Sequence, residues 1–274
     1  MFFYVILLTS KRLKTVEETL FMIKKERHEK ILDMLKVDGI ITIKDMMTEM
    51  GISDMTARRD LDALAKEGLL TRTHGGAQRL YSDEEPHEKT HVEKKVLQTK
   101  EKKEIAQKAN SIIKDGETIF IGPGTTLEHL AVELKSRNIR VITNSLPVFL
   151  ILNKSHSVDL LLIGGEYREV TGAFVGSMAT TNLKTLRFSK AFVSANAVSD
   201  NAIATYSDVE GQIQQLALDN AVEKFLLVDS SKFHRYDFFN FYSLDKFDTI
   251  ITDNHITSQE VQEFGQHAKI IQAD

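Results

Sequence analysis

The sequence predicts a two-domain chain: a small N-terminal winged helix-turn-helix, then a larger α/β domain built on a parallel sheet. Three observations predict it. Residues 22–81 show helical apolar spacing interrupted at glycines and end in two short strand-like runs around His74-Gly75-Gly76. Residues 82–102 are rich in charge and poor in apolar side chains. Beyond them, short apolar runs alternate with segments of helical length, the pattern of strands joined by crossover helices. At 274 residues the chain exceeds the usual size of a single core, so two cores are the natural division.

Composition narrows the function classes. With 42% hydrophobic and 27% charged residues the chain reads as an ordinary soluble globular protein. It has no cysteine, which excludes disulfides, thiolate metal sites and cysteine nucleophiles and suits a reducing, cytoplasmic setting. The net charge of -4 means that any binding to nucleic acid must come from a local arrangement of cations. The opening run Met1–Leu8 is nearly all apolar, but a bilayer span needs about 20 such residues and a secretory signal wants a basic start, so no membrane association is expected. Residues 1–21 are read as a non-structural extension from an overlong gene start, because Met22 opens directly onto a helix pattern.

In the first domain, Ile31, Leu32, Met34 and Leu35 recur at helical spacing and Gly39 ends the pattern, predicting a packing helix over residues 24–37. Thr42 then stands as an N-cap before Ile43, Met46, Met47 and Met50, and Gly51 makes a sharp turn before Ser53 caps a further helix over 54–67. Met55, Leu61, Leu64 and Ala65 form the apolar side of that helix. Thr56, Arg58 and Arg59 occupy its first turns, where a recognition helix reaches base edges and phosphates, so it is the element expected in the major groove. Leu69–Thr73 and Ala77–Leu80 read as a hairpin wing that carries Arg72, His74 and Arg79 toward the DNA backbone. Residues 22–81 hold 11 Lys+Arg against 10 Asp+Glu, a net of +1. Binding must therefore rest on where the arginines sit, with a homo-oligomer doubling the contacts, rather than on total charge. A small helical domain without DNA binding is the competing reading of helix-glycine-helix alone.

Arg27, Ile31, Leu35 and the run Ser53, Thr56, Ala57, Arg58, Arg59, Asp60, Leu61, followed by "GLLTRTHGGA", resemble the helix-turn-helix signature of the DeoR family of bacterial sugar-metabolism regulators. Asp60 reads as a helix-surface partner of Arg59 or a neighbouring cation, where a pair is worth under about 1 kcal/mol.

Residues 82–102 form the connection. His87-Glu88-Lys89-Thr90-His91 formally matches H-E-x-x-H, but a zinc hydrolase helix must shape a water-excluded cleft and this one is surrounded by Asp83, Glu84, Glu85, Glu93, Lys94 and Lys95. A solvated helix is the expectation, with no metal and no cofactor.

In the second domain, over 103–274, strand-like runs lie at residues 118–121, 140–143, 158–163, 191–194, 225–228, 249–252 and 269–271. Ligands of parallel sheets sit at the carboxyl ends of strands, and the loops there hold the glycines and polar residues. Gly122-Pro123-Gly124-Thr125-Thr126 opens a helix over 127–136, an arrangement whose free N–H groups favour phosphate; a plain tight turn is the alternative. Asn144, Gly165, Arg168, Asn196 and Lys232 occupy the other strand ends, with Arg168 and Lys232 as charge partners for a small anion. These loops resemble the effector domain of the DeoR family, which implies a ribose-5-phosphate-isomerase-like fold and a phosphorylated sugar effector. The Gly122-Pro123 pair, "LRFSKAFVSANAV" and "QQLAL" look most like the branch governing lactose metabolism, which implies tagatose 6-phosphate or a related hexose phosphate. The resemblance implies a transcriptional repressor that binds double-stranded operator DNA as a dimer or tetramer. The enzyme alternative is a sugar-phosphate isomerase with a fused DNA-binding module. Isomerisation needs a base near the substrate carbon, and residues 191–199 hold no acid, leaving Glu210, Asp229 and Lys232 as the remaining groups. No catalytic residue is expected.

Overall fold

The computed structural model describes residues 22–38, 40–73, 75–79 and 88–274; expectations for residues 1–21, Gly39, His74, residues 80–87 and the side chain of Arg79 lie outside the described residues. Contacts divide the chain into two compact units after Glu93.

The N-terminal unit runs α1 (Lys24–Asp38), β1 (Ile40–Thr42), α2 (Ile43–Met50), α3 (Asp54–Lys66), β2 (Leu70–Thr73) and β3 (Gly76–Arg79). Thr42 caps α2 through a capping box with Asp45, and Gly51 closes that helix in the left-handed conformation at φ 63°, which costs a glycine little. Ser53 caps α3 by accepting from the Thr56 N–H at 3.2 Å. Ala57, Leu61 and Leu64 recur on one face of α3 and are buried with Ile31, Leu35, Met46 and Met50. The wing is larger than the expected hairpin, because β1 pairs antiparallel with β3 and the sheet order is β1-β3-β2. At three residues, β1 is too short to show alternation. A Cβ on Gly76 would lie 1.9 Å from the Ile41 carbonyl oxygen, so only glycine permits this strand pairing.

After α4 (His91–Lys95), the C-terminal unit continues with α5 (Thr99–Ser111), β4 (Thr118–Ile121), α6 (Thr125–Glu133), β5 (Ile139–Thr143), α7 (Leu146–Leu152) and β6 (Val158–Leu162). A hairpin, β7 (Glu166–Arg168) and β8 (Ala173–Val175), leads to α8 (Gly176–Leu183) and β9 (Phe188–Val193). Then come β10 (Ala197–Ser199), β11 (Ala202–Thr205), α9 (Asp208–Asp219), β12 (Ala221–Leu227), β13 (Phe239–Ser243), β14 (Thr249–Asp253), α10 (Ser258–Phe264) and β15 (Lys269–Ala273). All seven expected runs appear in one parallel sheet, order β15-β14-β12-β9-β4-β5-β6. Ile119 and Ile121 face one core while Phe120 between them faces the other, so the sheet is covered on both sides. The antiparallel additions, β7-β8 and β10-β11-β13, were not expected from the sequence. Residues 94–102, read from composition as connection, pack within the C-terminal unit.

The order of strands places the site. From β4 the chain moves outward through β5 and β6, then returns to lay β9 against the opposite edge of β4. Strand order reverses between β4 and β9, and the crevice beyond their carboxyl ends is where such sheets bind ligands.

Candidate functional site

In the N-terminal unit, α3 presents two arginines on its open side. Arg58 pairs with Asp54 one turn earlier, Nε to Oδ1 at 2.7 Å and Nη2 to Oδ2 at 3.2 Å, which raises the guanidinium pKa and lowers that of the carboxyl. Arg59 is exposed. The Ser53 and Thr56 hydroxyls lie 2.9 Å apart at the helix start. Arg72 reaches back into its own domain: Nε lies 2.9 Å from Asp62 Oδ1 on α3, and Nη1 donates to the Gly76 carbonyl at 2.5 Å. It ties the wing to the recognition helix. Asp60 is not the surface partner of Arg59. It is 3% exposed and accepts two hydrogen bonds from Arg27 on α1, at 2.7 and 3.1 Å, with His28 Nε2 3.4 Å away.

In the C-terminal unit the crevice between β4 and β9 is bounded by the loops Gly122–Gly124 and Ser194–Asn196. Gly122 N–H donates to the Phe192 carbonyl at 3.0 Å, and a Cβ on Gly124 (φ 136°) would lie 3.4 Å from Ser194 Cβ. Thr125 and Thr126 begin α6 and are buried. Asn196 is clamped, its Oδ1 accepting from Lys94 at 2.9 Å and its Nδ2 donating to Asp237 at 2.8 Å. Lys232 sits in the single helical turn after β12, whose carboxyl end also bears the buried Asp229.

The sequence reading missed Lys102. It is 4% exposed and its Nζ donates to the carbonyls of Lys94 and Leu97 at 2.5 and 2.6 Å. Burial pushes its pKa down to about 8; Asp229 and Glu128 oppose the shift, and Lys232 and Lys94 add to it. The buried Lys102 ammonium thus has two further lysines, Lys94 and Lys232, close enough to act on it. A signal was present: Lys102 precedes Ile105, Ala106, Ala109 and Ile113 at helical spacing, so it lies on the buried face of α5.

Two further expected residues lie on the other flank. Arg168 faces Glu210 of α9 across 3.6 Å, and the Thr171 hydroxyl donates to the same carboxylate. Asn144 follows the end of β5 as Gly122 follows the end of β4, the last paired residues being Thr143 and Ile121. Gly165 serves packing, since a Cβ there would meet the Val175 carbonyl oxygen at 2.4 Å. Asn196 and Lys232 therefore lie with the lysines, Gly122 lies against Gln214 of α9, and Arg168 faces Glu210 of the same helix.

Two family profiles match the chain in tandem. Residues 27–83 match the profile described as DeoR-like helix-turn-helix domain, and residues 97–254 that of the DeoR C terminal sensor domain. The lactose phosphotransferase system repressor of Lactococcus lactis subsp. lactis is 72% identical over 92% of this chain and all of its own length. Proteins of the same name from Streptococcus mutans and Staphylococcus aureus strain N315 are 42% and 44% identical, covering 91% and 85% of this chain and 100% and 93% of theirs. Among solved structures, ribose 5-phosphate isomerase A from Methanocaldococcus jannaschii aligns over 48% of this chain and 53% of its own, at 20% identity and a TM-score of 0.36. No helix among the described residues is long and apolar enough to cross a membrane. With both profiles matching in tandem, the chain belongs to the DeoR family of transcriptional regulators, and is a DNA-binding regulator rather than an enzyme.

Proposed function

We propose that this regulator represses a lactose-utilisation operon and is induced by a phosphorylated sugar, tagatose 6-phosphate or a related hexose phosphate, held at the β4–β9 crevice. The observation that carries the effector reading is the gathering of Lys94, Lys102 and Lys232 where the strand order reverses, beside the N-terminus of α6. An anion there meets both positive charge and free N–H groups. The name shared by the relatives supplies the lactose system. In this reading residues 22–81 bind double-stranded operator DNA through Ser53, Thr56, Arg58, Arg59, Arg72, His74 and Arg79, and residues 103–274 bind the effector and join copies into a dimer or tetramer in the cytoplasm. Induction requires only that the sugar phosphate bind the DNA-released state more tightly.

Gel-shift titration of an operator fragment tests the reading. Tagatose 6-phosphate is expected to release the wild-type protein. Arg58→Ala with Arg59→Ala is expected to abolish operator binding while sugar-phosphate binding persists; Thr125→Ala or Lys232→Ala is expected to hold DNA in the presence of sugar phosphate. Release that is unchanged in both pocket variants removes those residues from the site, and turnover of a sugar phosphate at an enzyme's rate overturns the reading.

A further inference from the structure

Two buried amide oxygens flank the glycine loop without a donor. Asn144 is 1% exposed, and its Nδ2 donates to the Phe174 carbonyl at 2.9 Å, which sets the orientation of the amide. Its Oδ1 is buried and finds no hydrogen-bond partner among the described residues. Gln214 on α9 is 4% exposed, and its Oε1 is in the same condition. A Cβ on Gly122 would lie 3.7 Å from Gln214 Oε1, and Gly122 and Asn144 each follow directly on the paired strand ends Ile121 and Thr143. Buried polar atoms without partners are rare in folded proteins, and each one calls for an explanation.

We infer that Asn144 and Gln214 form an acceptor pair that reads donor hydroxyls on the carbon chain of the bound sugar phosphate, and so set its selectivity among hexose phosphates. The inference rests on the anion-site reading above. Oxygen acceptors repel phosphate oxygens, so the phosphate group lies toward Gly124, Lys102 and Lys232 and the hydroxylated chain toward Asn144 and Gln214. The pairing also accounts for selectivity. An analogue lacking the hydroxyl leaves a buried acceptor unpaired again, and a site built to bond a hydroxyl rejects such analogues strongly.

The test measures dissociation constants of the full chain for hexose 6-phosphates, their singly deoxygenated analogues and inorganic phosphate, in wild type, Asn144→Ala and Gln214→Met. Wild type is expected to prefer at least one hydroxylated ligand over its deoxy analogue by about tenfold or more. Gln214→Met, close in shape but without the acceptor, is expected to erase most of one such preference while inorganic phosphate affinity stays within about twofold. Asn144→Ala is expected to erase a preference at another carbon; if it unfolds, Gln214→Met alone decides. Preferences unchanged in Gln214→Met overturn the inference while leaving the anion site standing, the result expected if the acceptors serve only buried water. A wild type that binds no sugar phosphate overturns both.

Discussion

Arg27 and Asp60 join the first helix of the DNA-binding unit to its recognition helix through two hydrogen bonds of 2.7 and 3.1 Å, across 33 residues of chain. Asp60 immediately follows Arg59, so the pair anchors α3 from behind while its arginines face outward. The bond to Asp60 raises the Arg27 pKa.

Breaking that pair strands a buried charge. Asp60→Ala is expected to destabilise the N-terminal unit by about 3 kcal/mol, and the double change Arg27→Met with Asp60→Leu by clearly less than the sum of its parts. Urea denaturation followed by a probe in this unit measures it. Single changes that both cost under about 0.5 kcal/mol would show the pair to be energetically idle.

Gly76→Ala is expected to be more damaging than a glycine-to-alanine change in an open turn. The added methyl meets a backbone carbonyl at 1.9 Å, which can yield only if β1 separates from β3. A loss of about 2 to 3 kcal/mol with weakened operator binding is expected. Gly75→Ala is the control, because a Cβ there has open space. Equal effects of the two would sink the argument.

Arg59 and Arg72 separate two ways of losing DNA affinity. Arg59 is exposed, so Arg59→Ala is expected to leave the melting temperature unchanged and to lower the slope of log affinity against log salt by about 1 if it neutralises one phosphate. Arg72 ties the wing to Asp62 of α3 and bonds the Gly76 carbonyl within the wing, so Arg72→Ala is expected to lower both melting temperature and affinity. Salt titration beside thermal melting distinguishes them, and a destabilised Arg59→Ala would contradict the assignment.

Lys102 makes the C-terminal unit sensitive to alkaline pH. Its folded pKa of about 8 lies below the ordinary 10.5, so between these values the unfolded chain binds the proton and the folded one does not. Stability therefore rises with pH across that window, by up to about 3 kcal/mol from this group, and the full cost of the buried charge is present below pH 8. Sugar-phosphate affinity is expected to move oppositely, falling above pH 8 as the ammonium deprotonates. Lys102→Met should flatten both profiles; a wild-type stability curve that is flat between pH 8 and 10 would disprove it.

Much of the fold was legible because its signals are local. Caps at Thr42 and Ser53, the turn at Gly51 and seven apolar runs each report short-range geometry, and each has its counterpart in the structure. The partner of Asp60 was not legible, since nothing near it in sequence shows that Arg27 packs behind the recognition helix. Strand β1 and the β10-β11-β13 sheet were missed because short antiparallel segments gain their stability from the strands they meet rather than from their own pattern.

By itself, then, the sequence determined the two units, the capped recognition helix and the parallel sheet with glycine-rich loops at its strand ends. Only the tertiary structure decided which polar residues are buried and what each of them faces. It brought in Lys102 and Gln214, turned Arg168 toward Glu210 and gave Gly165 a packing task. The physical reason is that helix and strand periodicity arise from neighbours along the chain, whereas burial and charge environment arise from groups that meet only when the sheet closes.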